Sequence, residues 1–286
     1  MPEAMWTGSR CCLECTNRGG AGQGTARGRI AGQLGAALCE AAIMQPSPPR
    51  TRLPSSMIPQ HPFPITGRTL SRADVQSLLS STDGALTFVQ CDFDDADLTR
   101  LDLRGASFIE CSFVEAALSR ALLADSRWRQ CKGRQADFEL ADLTDAQFER
   151  CDLNNTQWRR ARLASARFSN VKLTGARLAD VAGLGLVFEE SLLISTDLRG
   201  LSFRKQRLVQ LDLSDADLTG CDFTDAVFDG GSLRNANLTK TRFAGADLRQ
   251  VDLGGLKLPD TSVLKGATIS YHQAAELLAE LGLHVA

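Results

Sequence analysis

Cysteines, histidines and carboxylates are the side chains in this sequence whose spacing could support chemistry. Cys11-Cys12-x-x-Cys15 has the pitch of half a metal site, but no second ligand pair follows it, and a structural zinc needs four ligands. Cys91, Cys111, Cys131 and Cys151 recur every twenty residues. Thiols spaced that way fill small apolar slots more readily than they build a disulfide or metal ladder, and reduced core thiols fit a cytoplasmic setting. The three histidines, His61, His272 and His284, all lie outside the stretch 88–258. No glycine-rich phosphate loop follows a strand and opens a helix. The sequence therefore reads as non-enzymatic, with no cofactor and no metal.

The carboxylates do carry a pattern. Asp137, Glu139, Asp142, Asp145, Glu149 and Asp152 form an acidic band, and Arg159, Arg160, Arg162, Arg167, Lys172 and Arg177 form a basic one after it. Asp212, Asp215, Asp217, Asp222, Asp225 and Asp229 make a second acidic band. The formal net charge is only −2, so any charged partner would respond to the local bands rather than to the total.

What positions these residues is a repeat of five. Leu, Phe or Trp stands at every fifth position from Phe88 to Leu258, broken only at Gly133 and Gly183. Two residues before each centre the side chain is usually small, as at Ala96, Ala106, Cys111 and Ala116. A helix needs a period near 3.6 and a strand a period of 2, so neither explains a strict five. A fixed short period sustained this long indicates a solenoid. A second period of twenty runs through Phe88, Phe108, Trp128, Phe148, Phe168 and Phe188, so four units close one coil. Residues twenty apart then stack at about 4.8 Å, giving a rod about 40 Å long. A narrow uniform rod offers no concave seat for an active site.

The units Ala96-Asp97-Leu98, Ala141-Asp142-Leu143, Ala216-Asp217-Leu218, Ala236-Asn237-Leu238 and Ala246-Asp247-Leu248 resemble those of the pentapeptide-repeat family, Ala-(Asp/Asn)-Leu-x-x. The resemblance implies an all-β solenoid, a right-handed quadrilateral β-helix of pentapeptide repeats, with the centre and the small residue pointing inward. Its handedness follows from the resemblance alone.

Around this core, residues 1–56 read as a disordered or non-native N-terminal extension, with Met57 as a candidate initiator. Residues 57–84 read as a Pro-rich linker and a cap helix opened by Ser71-x-x-Asp74. The β-helix takes 85–260, with Gly133, Gly183 and Gln206 as places for local distortion. A C-terminal helix in 261–286 opens with Ser270-x-x-Gln273 and closes at Gly282. Ala274, Leu277, Leu278 and Leu281, extended by Leu283 and Val285, make one apolar stripe. It reads as a cap over the last coil and as the seam of a homodimer. No apolar run is long enough to span a membrane.

Sorting outward positions by face sharpens the charge pattern. The side centred on Phe93, Phe113, Leu153 and Leu213 exposes Asp92, Asp94, Asp95, Glu115, Asp152, Asp212, Asp215 and Asp252. The side centred on Phe88 exposes Arg127, Arg167 and Arg207.

The close of the chain, Val251-Asp252-Leu253-Gly254-Gly255-Leu256-Lys257-Leu258 followed by Gln273-Ala274, Leu277-Leu278 and Leu281-Gly282, is similar to that of the Qnr-type quinolone-resistance proteins. This resemblance implies a head-to-head homodimer that binds DNA gyrase and topoisomerase IV and protects them from quinolone-type inhibitors. The acidic side would imitate duplex DNA, without direct nucleic-acid binding. The chain differs from those proteins in having no register break for a protruding loop. The other reading of the same surface is a structural or adaptor rod for an unrelated protein partner. Salt separates the two, because a DNA mimic should weaken steeply as ionic strength rises.

Overall fold

The computed structural model describes residues 64–82, 84–256, 261–280 and 282–283. The extension 1–56 with its four cysteines, and His61, Leu281, His284 and Val285, lie outside the described residues.

Nine short strands stack in parallel, in chain order: β1 (Ile65–Thr66), β2 (Thr87–Val89), β3 (Ser107–Ile109), β4 (Arg127–Arg129), β5 (Gln147–Glu149), β6 (Arg167–Ser169), β7 (Val187–Glu189), β8 (Arg207–Val209) and β9 (Val227–Asp229). From β2 onward the register advances by twenty residues, with Phe88 paired to Phe108 and Phe108 to Trp128. Single bridges at the same interval join three further sides, as in Asp92 to Ser112, Asp97 to Ala117 and Asp102 to Leu122. We number the faces 1 to 4 by their centres, Phe88, Phe93, Leu98 and Leu103 with the residues stacked on each. The result is a four-sided parallel β-solenoid.

Corners are made by turns rather than loops. After a face 2 centre, the Ala96 amide donates to the Phe93 carbonyl at 3.1 Å, and Asp95 takes a φ of 56°. A positive φ at that position defines a type II turn. Most corner residues are not glycine, including Arg100, Glu115 and Lys205, although the left-handed region is unfavourable for them. The hydrogen-bond ladder offsets that cost, since most corner amides reach the adjacent coil, as Asp95 does to the Val114 carbonyl at 2.9 Å.

The interior is a set of stacked columns. Every centre from Phe88 to Leu253 other than the two glycines is buried. Strand spacing sets the ring spacing: Phe88 and Phe108 lie 5.3 Å apart, Phe93 and Phe113 4.6 Å, and Phe203 and Phe223 4.9 Å, all close to parallel. The two tryptophan units carry an extra requirement, because a buried indole N–H needs an acceptor. Ser126 accepts from the Trp128 Nε1 at 2.9 Å, and Thr156 from the Trp158 Nε1 at 2.7 Å. Each hydroxyl sits in the slot that alanine usually fills.

Cys91, Cys111, Cys131 and Cys151 lie inside the face 1 corner, Cys221 lies between faces 3 and 4, and all five described cysteines are free and buried. Cys111 donates to the Phe88 carbonyl at 3.5 Å, Cys131 to that of Phe108 at 3.4 Å, and Cys151 to that of Trp128 at 3.5 Å. Burial raises the Cys91 thiol above its ordinary range and pushes Cys221 up to about 12. Cys131, hydrogen-bonded between Cys111 and Cys151, is raised as well. Thiols held protonated in this way, as Cys91, Cys131 and Cys221 are, make poor nucleophiles and poor metal ligands.

Both ends are closed. Ile65–Thr66, within the stretch that reads as linker, already pairs with β2, and the Leu70 amide bonds the Asp92 carbonyl at 2.8 Å. The offset there is 23 residues rather than twenty, because helix α1 (Arg72–Ser81) replaces two faces, which hides the rung from a search by period. Ser71 and Asp74 form the expected capping box, and Val75 is buried with Leu78 and Leu79 packed beside it. At the other end, α2 (Tyr271–Glu280) is opened by Ser270 and Gln273, whose side chains each bond the other's backbone amide.

Candidate partner-binding surface

The structure gathers all eight acidic residues on face 2. Its bridging column reads Asp92, Ser112, Lys132, Asp152, Lys172, Leu192, Asp212, Ser232 and Asp252. Four of those eight carboxylates hold their own turns. The Asp94 amide donates to Asp92 at 2.9 Å, Asn154 to Asp152 at 3.5 Å, Ser214 to Asp212 at 3.0 Å and Gly254 to Asp252 at 2.9 Å. An Asp side chain that accepts from the amide two residues on makes a local turn of its own. This is why Asp precedes the centre so often, and it is a structural duty. The sequence offered a signal for it in the Ser or Thr two residues later, as in Asp142-Leu143-Thr144, where the hydroxyl joins the carboxylate at 2.7 Å.

Two of these aspartates are also neutralised across coils. Arg134 pairs with Asp152 at 2.7 Å and Arg234 with Asp252 at 3.0 Å. Asp94 accepts the Ser112 hydroxyl and the Val114 amide at 2.5 and 2.7 Å. That leaves Asp95, Glu115 and Asp215 with no side-chain hydrogen bond or ion pair among the described residues. Lys132 and Lys172 lie between the acidic ends, so face 2 is acidic towards both ends and mixed in the middle.

The bands resolve into successive coils. Arg162 stacks on Asp142 with an ion pair at 3.3 Å. Arg159, Arg160, Arg167, Lys172 and Arg177 form no ion pair among the described residues. Elsewhere, short-range pairs clamp the bridging aspartates. The Arg104 guanidinium holds Asp102 below the usual carboxylate range, Arg199 does the same for Asp197, and Arg249 for Asp247. Such exposed pairs add little stability each.

The apolar stripe of α2 divides in two. Gln273 is buried and its amide donates to the Leu248 and Val251 carbonyls at 2.7 and 2.6 Å, while Leu277 packs on the core. Those contacts make α2 a cap. Ala274 is half-buried, and Tyr271, Leu278 and Leu283 face outward, Tyr271 almost fully. Among the described residues no group of three or more His, Cys, Asp or Glu could hold a metal ion, and no helix is long and apolar enough to cross a membrane.

A parallel four-sided coil of five-residue units, closed at both ends and carrying its distinctive groups on flat faces, is a repeat rod. A family model of the pentapeptide repeat region matches residues 85–158, and a model of eight pentapeptide repeats matches 141–180, 187–225 and 216–255. The chain belongs to the pentapeptide-repeat family. Among solved structures, a trypsin-treated form of QnrB1, a plasmid-mediated fluoroquinolone resistance protein, matches with a TM-score of 0.50 at 22% identity, over 78% of this chain and 98% of that one. HetL, a pentapeptide-repeat protein involved in heterocyst differentiation regulation from the cyanobacterium Nostoc, matches with a TM-score of 0.41 at 23% identity, over 70% and 88%. At 22% identity the likeness to QnrB1 is one of fold. No curated protein matches the chain in sequence.

Proposed function

We propose that this protein is a non-enzymatic rod that binds DNA gyrase or topoisomerase IV in place of duplex DNA, and thereby protects the enzyme from quinolone-type inhibitors. The observation that carries the reading is the set of uncommitted carboxylates on one loop-free face, Asp95, Glu115 and Asp215. Asp95 and Glu115 stand one coil apart, about 4.8 Å along the rod, a separation of the same order as the axial rise of about 3.4 Å per phosphate on one DNA strand. A protein surface that holds DNA through Lys and Arg would accept such a face by the same electrostatics. Occupying that surface would displace DNA from the drug-bound complex. The similarity to QnrB1 and the Qnr-like C-terminus support this choice of partner. A homodimer formed through Tyr271, Leu278 and Leu283 would align two rods end to end.

The test is gyrase supercoiling in the presence of a fluoroquinolone, titrating the rod. Rescue is expected, and is expected to disappear in the Asp95→Lys, Glu115→Lys, Asp215→Lys triple variant with the thermal melt unchanged. Lysine suits these corners, since Lys205 and Lys240 occupy equivalent ones. Undiminished rescue by the triple variant would rule out DNA mimicry. The seam is tested separately by Leu278→Asp, which should halve the mass seen by light scattering.

The mixed middle of face 2, with Lys132 and Lys172, favours a second reading, an adaptor rod for an unrelated partner. A rod that neither rescues nor inhibits gyrase in that assay would favour it over mimicry.

A further inference from the structure

Face 1 carries a feature that topoisomerase binding through face 2 does not use. Strands β4 and β6 present Arg127, Arg129 and Arg167 around a shallow groove of about 450 Å³, whose walls also include Ser107, Gln147, Ser169 and Asn170. None of the three arginines makes a side-chain hydrogen bond or an ion pair among the described residues. Arg207, in the same column as Arg127 and Arg167, is tied to Asp229 at 2.6 Å. The corner acids Asp125 and Asp145, round the edge on face 4, make no ion pair with the three.

The ladder fixes this arrangement before any ligand arrives. Ser107, Arg127, Gln147 and Arg167 are consecutive register partners on β3 to β6. Arg127 and Arg167 therefore stand two strands apart, roughly 9.6 Å between their backbones. Within the patch the one carboxylate, Glu149, is engaged by Arg150 at 3.7 Å. Carboxylates bound the patch at both ends, Glu110 (bonded to Gln90 at 2.9 Å) on one side and Glu189 and Glu190 on the other.

A positive field confined to about three strands and closed by acids at both ends disfavours a long polyanion, which would run into those acids. It suits a compact one. Guanidinium groups match phosphoryl oxygens in geometry and charge, and the serine hydroxyls and amide groups add neutral donors. We infer that the face 1 groove is a binding site for a compact phosphate ester of nucleotide size, held by Arg127, Arg129 and Arg167.

Isothermal titration of the full chain with ATP, using inorganic triphosphate as competitor, tests this at low and at physiological salt. Saturable one-to-one binding that triphosphate displaces is expected. Binding should weaken at least about tenfold in the Arg127→Ala, Arg167→Ala variant, the scale of losing charge-assisted hydrogen bonds. The Arg159→Ala, Arg160→Ala variant on the opposite face should bind like the parent. Circular dichroism should show the parent fold in both, since all four side chains are exposed. The assignment is overturned by absence of saturable binding, by an Arg127→Ala, Arg167→Ala variant that binds as well as the parent, or by a 20-base-pair duplex that outcompetes ATP through the same arginines.

Discussion

Gly133 and Gly183 are the same defect in two places, a coil centre with no side chain, and the rod absorbs them differently. At Gly133 a large neighbour supplies the missing volume. A Cβ there would lie 2.9 Å from a Leu153 methyl and 3.9 Å from Phe113, and the Trp128 indole packs 4.7 Å from the Phe113 ring. The ladder alongside keeps three register pairs between β4 and β5. At Gly183 the filling comes from Leu186 and Leu201, whose methyls would stand 3.2 and 3.4 Å from an added Cβ. Both leucines occupy slots that are usually small. Leu184 is left 88% exposed, and β7 pairs with β8 only through Glu189 and Val209. Gln206, also in a small-residue slot, turns its amide to the Leu186 carbonyl at 3.1 Å. A missing centre is thus harmless when a rigid aromatic column spans it, and costs regularity when oversized residues must be drawn in from the slots.

The comparison can be broken from the aromatic side first. Trp128→Ala should destabilise the rod by about 3–5 kcal/mol, the usual cost of emptying a buried tryptophan site, read by urea unfolding. A loss below about 1 kcal/mol would mean that Trp128 does not support the Gly133 coil. Leu186→Ala should cost less, about 2–3 kcal/mol, at the low end for a buried leucine, because its surroundings are already irregular and can relax. Ser126→Ala leaves the indole N–H of Trp128 without its acceptor and should cost about 1–2 kcal/mol. Ser126→Thr should restore that loss, as Thr156 serves Trp158. Gly183→Ala should move stability by less than about 1 kcal/mol, since the gain in the unfolded state opposes a small displacement of the two leucines. Amide exchange sharpens the contrast: the 187–209 stretch should exchange faster than 107–149, because local opening begins where the ladder is thinnest.

Much of this was legible in the residues themselves. The five- and twenty-residue periods specify the coil, since no regular element other than a stacked solenoid repeats that way. The two capping boxes mark both helices because each needs only four local residues. What the periods conceal depends on contacts across coils. Nothing local in the sequence says that Arg134 and Arg234 reach over a coil to Asp152 and Asp252. The same reasoning places Leu277 and Leu278 in one stripe, yet Gln273 docks the helix so that the first packs on the core and the second faces out. The hydroxyls before the two tryptophans were visible in the sequence and needed only the recognition that a buried indole must find an acceptor.

The unbroken register has a consequence for how such a chain can change in length. Deleting one residue would turn every later centre out of the core, so a single-codon loss is as damaging as a core charge. Deleting five keeps the core but rotates all that follows by one face, carrying Asp215 away from the side that holds Asp95 and Glu115. Only a change of twenty preserves both inside and outside, because residues twenty apart are direct neighbours, as Asp92 is to Ser112. Length variants of this rod that keep their surface should therefore differ by whole coils.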